Sequence, residues 1–382
     1  MADSMKASYT FIDTKSGLEN HAKSLVKEKA VAVDLEADSM YHFQEKVCLV
    51  QIATESASVI IDPIKINDMS SLKPLFSSRK IKKIFHGADY DVRSLYRDFN
   101  IKINNLFDTQ VACMFLGLKE TGLEAVLRQR FNIGLDKKYQ KKDWSQRPLT
   151  PEMMAYAAAD VMYLIPLAKI LEKELENKGR LDWVYEESEI ISKVRPSSSE
   201  GHPLYLKFKG AGQIDRRTLG ILEALLQFRV QVARQKDQPL FKIFPNNTLL
   251  KVASAKPTDP ASLTKANVFS PKQLNMYGHT VIEIVNRILK APANKLPVYP
   301  KKLAPRVDAS ATKRIKALKA WRDSKARSLD IDPGILFSNA LISTIAVQHP
   351  LYANTLDKIP EMKHWQRQEF DREIVAVLKK VQ

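Results

Sequence analysis

An apolar run that begins at Val31 ends in two carboxylates separated by one residue, Asp34 and Glu36. In a strand, residues i and i+2 point to the same face, so these two acids would lie side by side, about 7 Å apart along the strand. Like charges this close repel one another unless a positive charge lies between them, and a divalent metal ion is the simplest candidate. A solvated pair at a strand edge fits this stretch equally well, so other parts of the chain must decide.

A third acid, Asp91, follows a glycine turn and lies near the start of a predicted helix. Apolar residues recur in that helix at Val92, Leu95 and Phe99, and this spacing marks its core face. Asp91 adjoins the core face, whereas Asp89 points away from it and is predicted to interact with the helix N-terminus. Asp91 is therefore the better candidate for a site at the sheet edge, although in isolation it would be an ordinary surface acid.

A fourth acid, Asp160, lies in an apolar helix together with Tyr156. Residues i and i+4 share one helix face, and the three alanines between these two allow close packing on a sheet. An acid in apolar surroundings is costly without a partner. A metal ion would supply that partner, but a backbone group or an arginine would serve as well.

A basic loop precedes that helix and contains Lys141, Lys142, Trp144 and Arg147. Cations next to an aromatic ring could contact a phosphate backbone or a terminal base. The alternative is a solvated loop with one packed tryptophan.

The elements that would carry these residues follow from the hydrophobic pattern. Strands are predicted at 9–12, 30–36, 46–53 and 57–63, and the last three are expected to form an antiparallel meander. A short buried strand is predicted at 82–86, and helices are predicted at 16–29, 68–77, 89–100, 109–116, 122–130 and 150–178. Strands interleaved with helices predict an α/β or α+β layer fold.

The net charge of +17 is unevenly distributed along the 382 residues. Residues 1–200 contain 29 basic and 29 acidic residues, whereas residues 201–382 contain 31 basic and 14 acidic ones. A basic C-terminal half indicates a region that binds a polyanion such as nucleic acid, with a merely soluble basic surface as the alternative. The two cysteines, Cys48 and Cys113, exclude a disulfide framework and suit a reducing compartment. The apolar segment 153–171 contains Asp160, Pro166 and Lys169, which favours a buried helix over a membrane span.

The C-terminal half contains two similar segments that are offset by 93 residues. The matched residues are Phe228 with Trp321, Arg229 with Arg322, Ala233 with Ala326, and Arg234 with Arg327. Two copies of one small helical domain are predicted, with the aromatic residues in the core and the four arginines exposed for phosphate contacts.

These motifs resemble those of the DEDD exonuclease superfamily in its tyrosine branch, and within it the ribonuclease D family. The resemblance covers about residues 8–180, and the motifs occur in the family's order: Asp34-x-Glu36, Val50-Gln-Ile-Ala, His86-Gly-Ala-x-x-Asp91, Asp143-Trp-Ser-x-Arg-Pro-Leu149 and Tyr156-Ala-Ala-Ala-Asp160. The two C-terminal copies are similar to HRDC domains. The resemblance implies an α/β ribonuclease H-like exonuclease domain, with a mixed sheet flanked by helices, followed by two all-α HRDC-like domains. The expected ranges are 1–195 for the exonuclease domain, 196–209 for a linker, 210–292 for the first HRDC domain, 293–309 for a linker rich in proline and lysine, and 310–382 for the second.

The resemblance also implies a chemistry. The four acids would hold two divalent cations, Mg²⁺ with Mn²⁺ as a substitute; Asp34 would contact both, Glu36 and Asp160 one of them, and Asp91 the other. Tyr156 would orient the attacking water. The expected protein is a monomeric exoribonuclease of the bacterial cytoplasm, without a membrane partner, that trims RNA with a free 3′ end, such as tRNA precursors. The alternatives are a DNA 3′-5′ exonuclease and a non-catalytic RNA-binding protein with an exonuclease-like fold.

Overall fold

The structure, a computed structural model, describes residues 9–135, 137–196, 201–300 and 308–381. These residues divide into two compact units. The first unit comprises the described residues of Met1–Ala37, Val47–Pro196 and Ala304–Gln382, and the second those of Asp38–Lys46 and Ser197–Leu303. The predicted linkers at 196–209 and 293–309 lie partly outside the described residues, and the domain bounds stay predictions.

A mixed six-stranded sheet forms the centre of the first unit. Its strands are β1 (Tyr9–Ile12), β2 (Ala30–Ala37), β3 (Val47–Ala53), β4 (Ser58–Ile61), β5 (Lys82–Phe85) and β6 (Leu106–Asp108). They are ordered β1-β4-β3-β2-β5-β6. β2, β3 and β4 form the predicted antiparallel meander. β1 is parallel to β4, β5 to β2, and β6 to β5. The predicted mixed sheet is therefore confirmed.

Helices flank this sheet. In the first unit they are α1 (Lys15–Leu25), α2 (Pro63–Ile66), α3 (Lys73–Ser77), α4 (Asp89–Phe99), α5 (Thr109–Leu116), α6 (Leu123–Phe131), α7 (Pro151–Met162), α8 (Leu164–Asn177) and α9 (Leu181–Ser192). The helix predicted over 150–178 is not continuous: it is interrupted at Tyr163, which lies between α7 and α8. Pro166 explains the break: proline has no N–H, and its ring clashes with the carbonyl four residues earlier.

Alternate residues of β2 face opposite sides of the sheet. Val31, Val33 and Leu35 contribute to one core, whereas Ala32 contributes to another. Asp34 shares the face of Ala32, as the period-two alternation of a strand requires. Of the described residues, only 151–177 are long and apolar enough to cross a membrane, and half of the apolar window within them is buried inside the protein.

The two helical repeats belong to different units. The second unit contains the first repeat: α10 (Arg216–Lys236), α11 (Leu240–Ile243), α12 (Asn246–Ala255), α13 (Pro260–Lys265) and α14 (Pro271–Lys290). The second repeat lies in the first unit with the sheet: α15 (Ala309–Leu329), α16 (Pro333–Leu336), α17 (Asn339–Gln348) and α18 (His364–Lys379). The prediction of two helical copies is confirmed.

Candidate active site

Three carboxylates from two elements meet at the end of β2. Oxygen atoms of Asp34, Glu36 and Asp160 all lie within 4.8 Å of one another. Asp34 and Glu36 share one face of β2, and Asp160 comes from α7, which packs on β2, β3 and β4. Residues 124 positions apart in the sequence thus form one acidic cluster.

The start of α7 and its small residues determine where Asp160 and Tyr156 lie. Thr150 caps the helix by accepting a hydrogen bond from the Met153 N–H, and a proline occupies the first turn. Ala157 and Ala158 are fully buried, so the helix backbone approaches the sheet closely. One turn separates Tyr156 from Asp160, so the two side chains share a helix face and line the same cleft.

Asp108 organises the turn that precedes Asp91. Its buried carboxylate accepts hydrogen bonds from the N–H groups of Gly87 at 2.9 Å and Ala88 at 2.8 Å, and it also caps α5. Gly87 has φ +77°, a left-handed conformation that glycine adopts without strain. The turn places Asp91 in the first turn of α4, where it is buried beside the acidic cluster but outside the three carboxylates within 4.8 Å.

Burial raises the pKa of every acid here, and the charges of neighbouring carboxylates add to the effect at Glu36, Asp91 and Asp160. Burial raises the pKa of Asp34 to about 6. Burial, followed by the charge of Asp34, raises the pKa of Asp160 to about 8. Burial and the neighbouring carboxylates hold the pKa of Glu36 and of Asp91 well above their usual ranges. Carboxylates that are this close to one another and shielded from water form a site that a cation would stabilise.

The donor set fits divalent metal ions. Within the described ranges, none of the four carboxylates forms an ion pair with lysine, arginine or histidine. Several carboxylate oxygens converging within 4.8 Å match the oxygen ligands that hard cations prefer. The buried negative charge is therefore balanced most directly by a cation held between these side chains.

The cluster opens into a cleft of about 400 Å³. Its lining includes Tyr156 and three of the four acids (Asp34, Glu36 and Asp160), together with His86, Gln110 and Lys137. His86 Nδ1 lies 2.9 Å from the Thr109 hydroxyl, which itself donates to the Phe85 carbonyl. His86 stands in one of the motifs of the resemblance, and Lys137 lies in the basic stretch before α7. Gln110 carries no local signal in the sequence.

The basic loop before α7 is partly structural. Trp144 is 1% exposed, so the prediction that it stacks on a base is wrong: its ring is packed near Tyr156. The Arg147 guanidinium bonds both oxygens of buried Asp62, at 2.6 and 2.8 Å, and the Cys48 carbonyl at 2.9 Å, so it holds the loop to the sheet. Lys141 and Lys142 are exposed, and their contact with RNA stays a prediction.

Two of the four repeat arginines are also structural, and their predicted exposure is wrong. Arg229 is 8% exposed and donates to the Phe244 carbonyl and to Asn246 Oδ1. Arg322 is 9% exposed and makes the same two bonds with Phe337 and Asn339. Each guanidinium bridges the helices of its own repeat.

The exposed arginines are the other matched pair. Arg234 and Arg327 lie on the surface of their repeats, and Arg234 is 5.7 Å from the ring centre of Phe43. Their binding of nucleic acid stays a prediction.

Comparison with known families agrees with this architecture. A 3′-5′ exonuclease family model matches residues 9–176, and an HRDC domain model matches residues 218–285 and 311–378. The first match contains all four acids and Tyr156.

Individual relatives cover the chain to different extents. Ribonuclease D of Gluconacetobacter diazotrophicus is 27% identical over 384 residues, with 99% of this chain and 95% of that protein covered. Protein RRP6-like 1 of Arabidopsis thaliana is 31% identical and covers 76% of this chain, which spans only 48% of that protein. The crystal structure of the catalytic core of RRP6 from Trypanosoma brucei is 30% identical, with a TM-score of 0.64 and 75% of this chain and 81% of that one covered. With its exonuclease fold, its two HRDC repeats and these relatives, the chain belongs to the ribonuclease D family of 3′-5′ exoribonucleases.

Proposed function

We propose that the chain removes nucleotides one at a time from the 3′ ends of structured RNA, with two divalent metal ions at the acidic cluster. The observation that carries this proposal is the convergence of Asp34, Glu36 and Asp160 within 4.8 Å, next to the Tyr156 hydroxyl. Asp34 would contact both ions, Glu36 and Asp160 would hold one, and Asp91 would help to hold the other. When bound, such ions acidify a water molecule and neutralise charge on the reacting phosphate.

Tyr156 acts in this proposal as a hydrogen-bonding group and not as a base. Burial and the charges of Asp160 and Glu36 raise its pKa far above the usual range, so the phenol keeps its proton at neutral pH. A protonated hydroxyl beside the cluster can position a water molecule in line with the terminal phosphodiester. The products would be nucleoside 5′-monophosphates.

Two neighbouring acids on α4 give a matched test of the site. Asp91 is buried beside the cluster, whereas Asp89 forms an exposed ion pair with Arg93 at 2.7 Å. Asp91→Asn is expected to lower Mg²⁺-dependent mononucleotide release by about 100-fold or more, and Asp89→Asn to leave it within about twofold. Equal activity of the two variants would show that Asp91 is not part of the site.

Tyr156→Phe removes the hydroxyl group and keeps the aromatic ring, so it tests the role of the hydroxyl alone. It should slow turnover about 100-fold without changing divalent-cation affinity, because the phenol contacts water in this scheme and not the ions. Single-turnover kinetics and a Mn²⁺ titration measure the two quantities separately. Normal turnover would exclude the water-orienting role.

RNA as the substrate is favoured over DNA by the names of the relatives, ribonuclease D and RRP6. The cluster itself suits either polymer. The full chain should release nucleotides faster from a single-stranded RNA than from a DNA of the same sequence. A preference for DNA would replace the exoribonuclease proposal by its DNA counterpart, and no divalent-dependent release from either would favour the non-catalytic alternative.

The finer assignments, namely tRNA precursors as substrate, a monomer and the bacterial cytoplasm, are proposals as well. Assaying tRNA precursors with 3′ extensions against unstructured RNA of equal length tests the first. The full chain is required, because the second HRDC repeat packs within the same unit as the nuclease sheet.

A further inference from the structure

Gln51 is a buried amide in the centre of β3, a strand whose other residues are apolar. Its side chain has no exposed surface, and neither Nε2 nor Oε1 has a hydrogen-bond partner within the described chain. An unsatisfied buried polar group costs about 1–3 kcal/mol. A leucine at this position would avoid that cost, so the amide needs an explanation.

The sheet register places Gln51 beside the acidic cluster. It is directly opposite Asp34 in the antiparallel pair of β2 and β3, and opposite Ile60 on its other side in β4. Directly opposed residues point to the same face, with Cβ atoms about 4.5–5.5 Å apart. Ile60 offers no hydrogen bond. Glu36 and Ser58 are only diagonal neighbours on the same face, so Asp34 is the polar side chain directly opposite the amide.

The surroundings leave the amide few alternatives. α7 covers this face of the sheet and packs on β2, β3 and β4, and its Ala157 and Ala158 lie in a buried apolar cluster with Leu49 and Ile60. Leu49 shares the face of Gln51, two residues away on β3. The amide therefore has apolar groups beside it and above it, and a carboxylate opposite it. A hydrogen bond to that carboxylate would stabilise the amide most.

We propose that Gln51 is a positioning residue whose amide N–H donates to the Asp34 carboxylate once a divalent cation is bound, and so keeps that carboxylate in its ligating orientation. This inference rests on the proposed function, because it assigns Gln51 to the support of the same metal site. Groups that hydrogen-bond to metal-ligating side chains fix the ligands' orientation, and their removal typically weakens metal affinity by about 10-fold to 100-fold.

The proposal separates metal binding from stability, and the test measures both on the full chain. Gln51→Leu is expected to weaken Mn²⁺ binding, measured by calorimetric titration, by about 10-fold or more. The melting temperature of the metal-free protein should stay equal or rise, because an amide without partners is replaced by an apolar group. Gln51→Met, which is closer in shape, should behave in the same way and serves if the leucine variant does not fold.

Ser58→Ala is the matched control, since Ser58 is another buried side chain without a hydrogen-bond partner, on the neighbouring strand β4. It should leave Mn²⁺ affinity unchanged. Wild-type Mn²⁺ affinity in both Gln51 variants would overturn the inference about Gln51 alone. Absence of Mn²⁺ binding to the wild-type chain would instead overturn the proposed function.

Discussion

The two helical repeats share one internal framework. In each, a buried arginine of the first helix, Arg229 or Arg322, donates to a phenylalanine carbonyl and an asparagine side chain of the same repeat. Gln273 and Gln366 also correspond: each caps the last helix with its Oε1 and donates from Nε2 to a backbone carbonyl 30 residues earlier in the chain. The offset of 93 residues therefore holds for hydrogen bonds as well as for sequence.

One of the differences between the repeats has a large effect on packing, and it lies near the start of their last helix. The first has Lys272, which is exposed, and the second has Trp365, which is 2% exposed. The Trp365 ring stacks on Trp183 of α9, with ring centres 4.6 Å apart, and lies edge-to-face with Phe115 of α5. At this position a lysine leaves the helix end of the first repeat in solvent, whereas a tryptophan buries the helix end of the second repeat against the nuclease helices.

Acidic side chains of α9 reinforce that contact. Both carboxylate oxygens of Glu186 accept backbone N–H groups of α18, from His364 at 2.7 Å and Trp365 at 2.8 Å. Glu187 pairs with Lys363 and accepts the Trp365 indole N–H at 3.0 Å. The nuclease helix α9 thus supplies carboxylate acceptors for two N–H groups in the first turn of α18, in addition to the cap from Gln366 of the helix itself.

The turn after the first helix also has different partners in the two repeats. Asp237 bonds His42 Nδ1 at 2.7 Å and the Phe43 N–H at 3.1 Å, both in the loop 38–46 that follows β2. At the equivalent Asp330, the backbone packs against Gly117, where an added Cβ would lie 2.0 Å from the Asp330 carbonyl oxygen. The shared arginine and glutamine bonds therefore hold each repeat together, while a few other positions determine what the repeat packs on.

The largest expected effect comes from removing the tryptophan that distinguishes the second repeat. Trp365→Ala should lower the free energy of unfolding of the first unit by about 3–5 kcal/mol, because a buried, stacked indole is lost. Denaturant unfolding measures it. Lys272→Ala, at the matched position, should change stability by less than about 0.5 kcal/mol; equal losses at both positions would contradict the proposed difference.

Removing the shared arginine should affect both repeats alike. Arg229→Met and Arg322→Met are each expected to lower stability by about 2–3 kcal/mol, since hydrogen bonds from a buried guanidinium are lost and their acceptors stay buried. Arg234→Met and Arg327→Met, at exposed positions, are the controls. If Arg229→Met weakened RNA binding without loss of stability, the original prediction of a phosphate contact would be restored.

Removing the Glu186 carboxylate, which accepts two N–H groups of α18, should lower the free energy of unfolding by less than removing a buried arginine. Glu186→Ala is expected to lower stability by about 1 kcal/mol, the usual value of an N-cap, and to speed hydrogen exchange in the first turn of α18. No corresponding acid caps the matched helix α14, which uses its own Ser270. Unchanged exchange at His364 and Trp365 would show that the cap is dispensable.

The smallest expected effect is at the turn of the first repeat. Asp237→Gly removes both acceptors for the loop 38–46 while suiting the left-handed backbone at this position, where φ is 45°. Faster hydrogen exchange is expected in residues 38–46, with little change in global stability. Asp330→Gly makes the same backbone change and should leave exchange in that loop as it was.

The sequence predicted the site better than it predicted the surfaces. Asp34, Glu36, Tyr156 and Asp160 could be grouped because strand and helix periods are local, and the structure brings them together. Asp91 was separated from Asp89 by the same reasoning.

The buried arginines were missed although a signal existed. Arg229 follows Leu222 and Leu225 at spacings of seven and four, which places it on the buried face of α10. The burial of Trp144, by contrast, depends on the packing of a loop against β3, β4 and α7, and no local pattern encodes it. The packing of the second repeat on the nuclease helices is likewise a long-range contact that no local pattern encodes.

If the four acids form a cation site, divalent ions should change the thermal melting of the full chain. Millimolar Mg²⁺ or Mn²⁺ should raise the melting temperature of the wild-type chain, because the ions relieve repulsion among buried carboxylates. Asp34→Asn should melt higher than wild type in EDTA, gain little from the ions, and release no mononucleotides. A wild-type melting temperature that divalent ions leave unchanged, with Asp34→Asn no more stable in EDTA, would contradict the account.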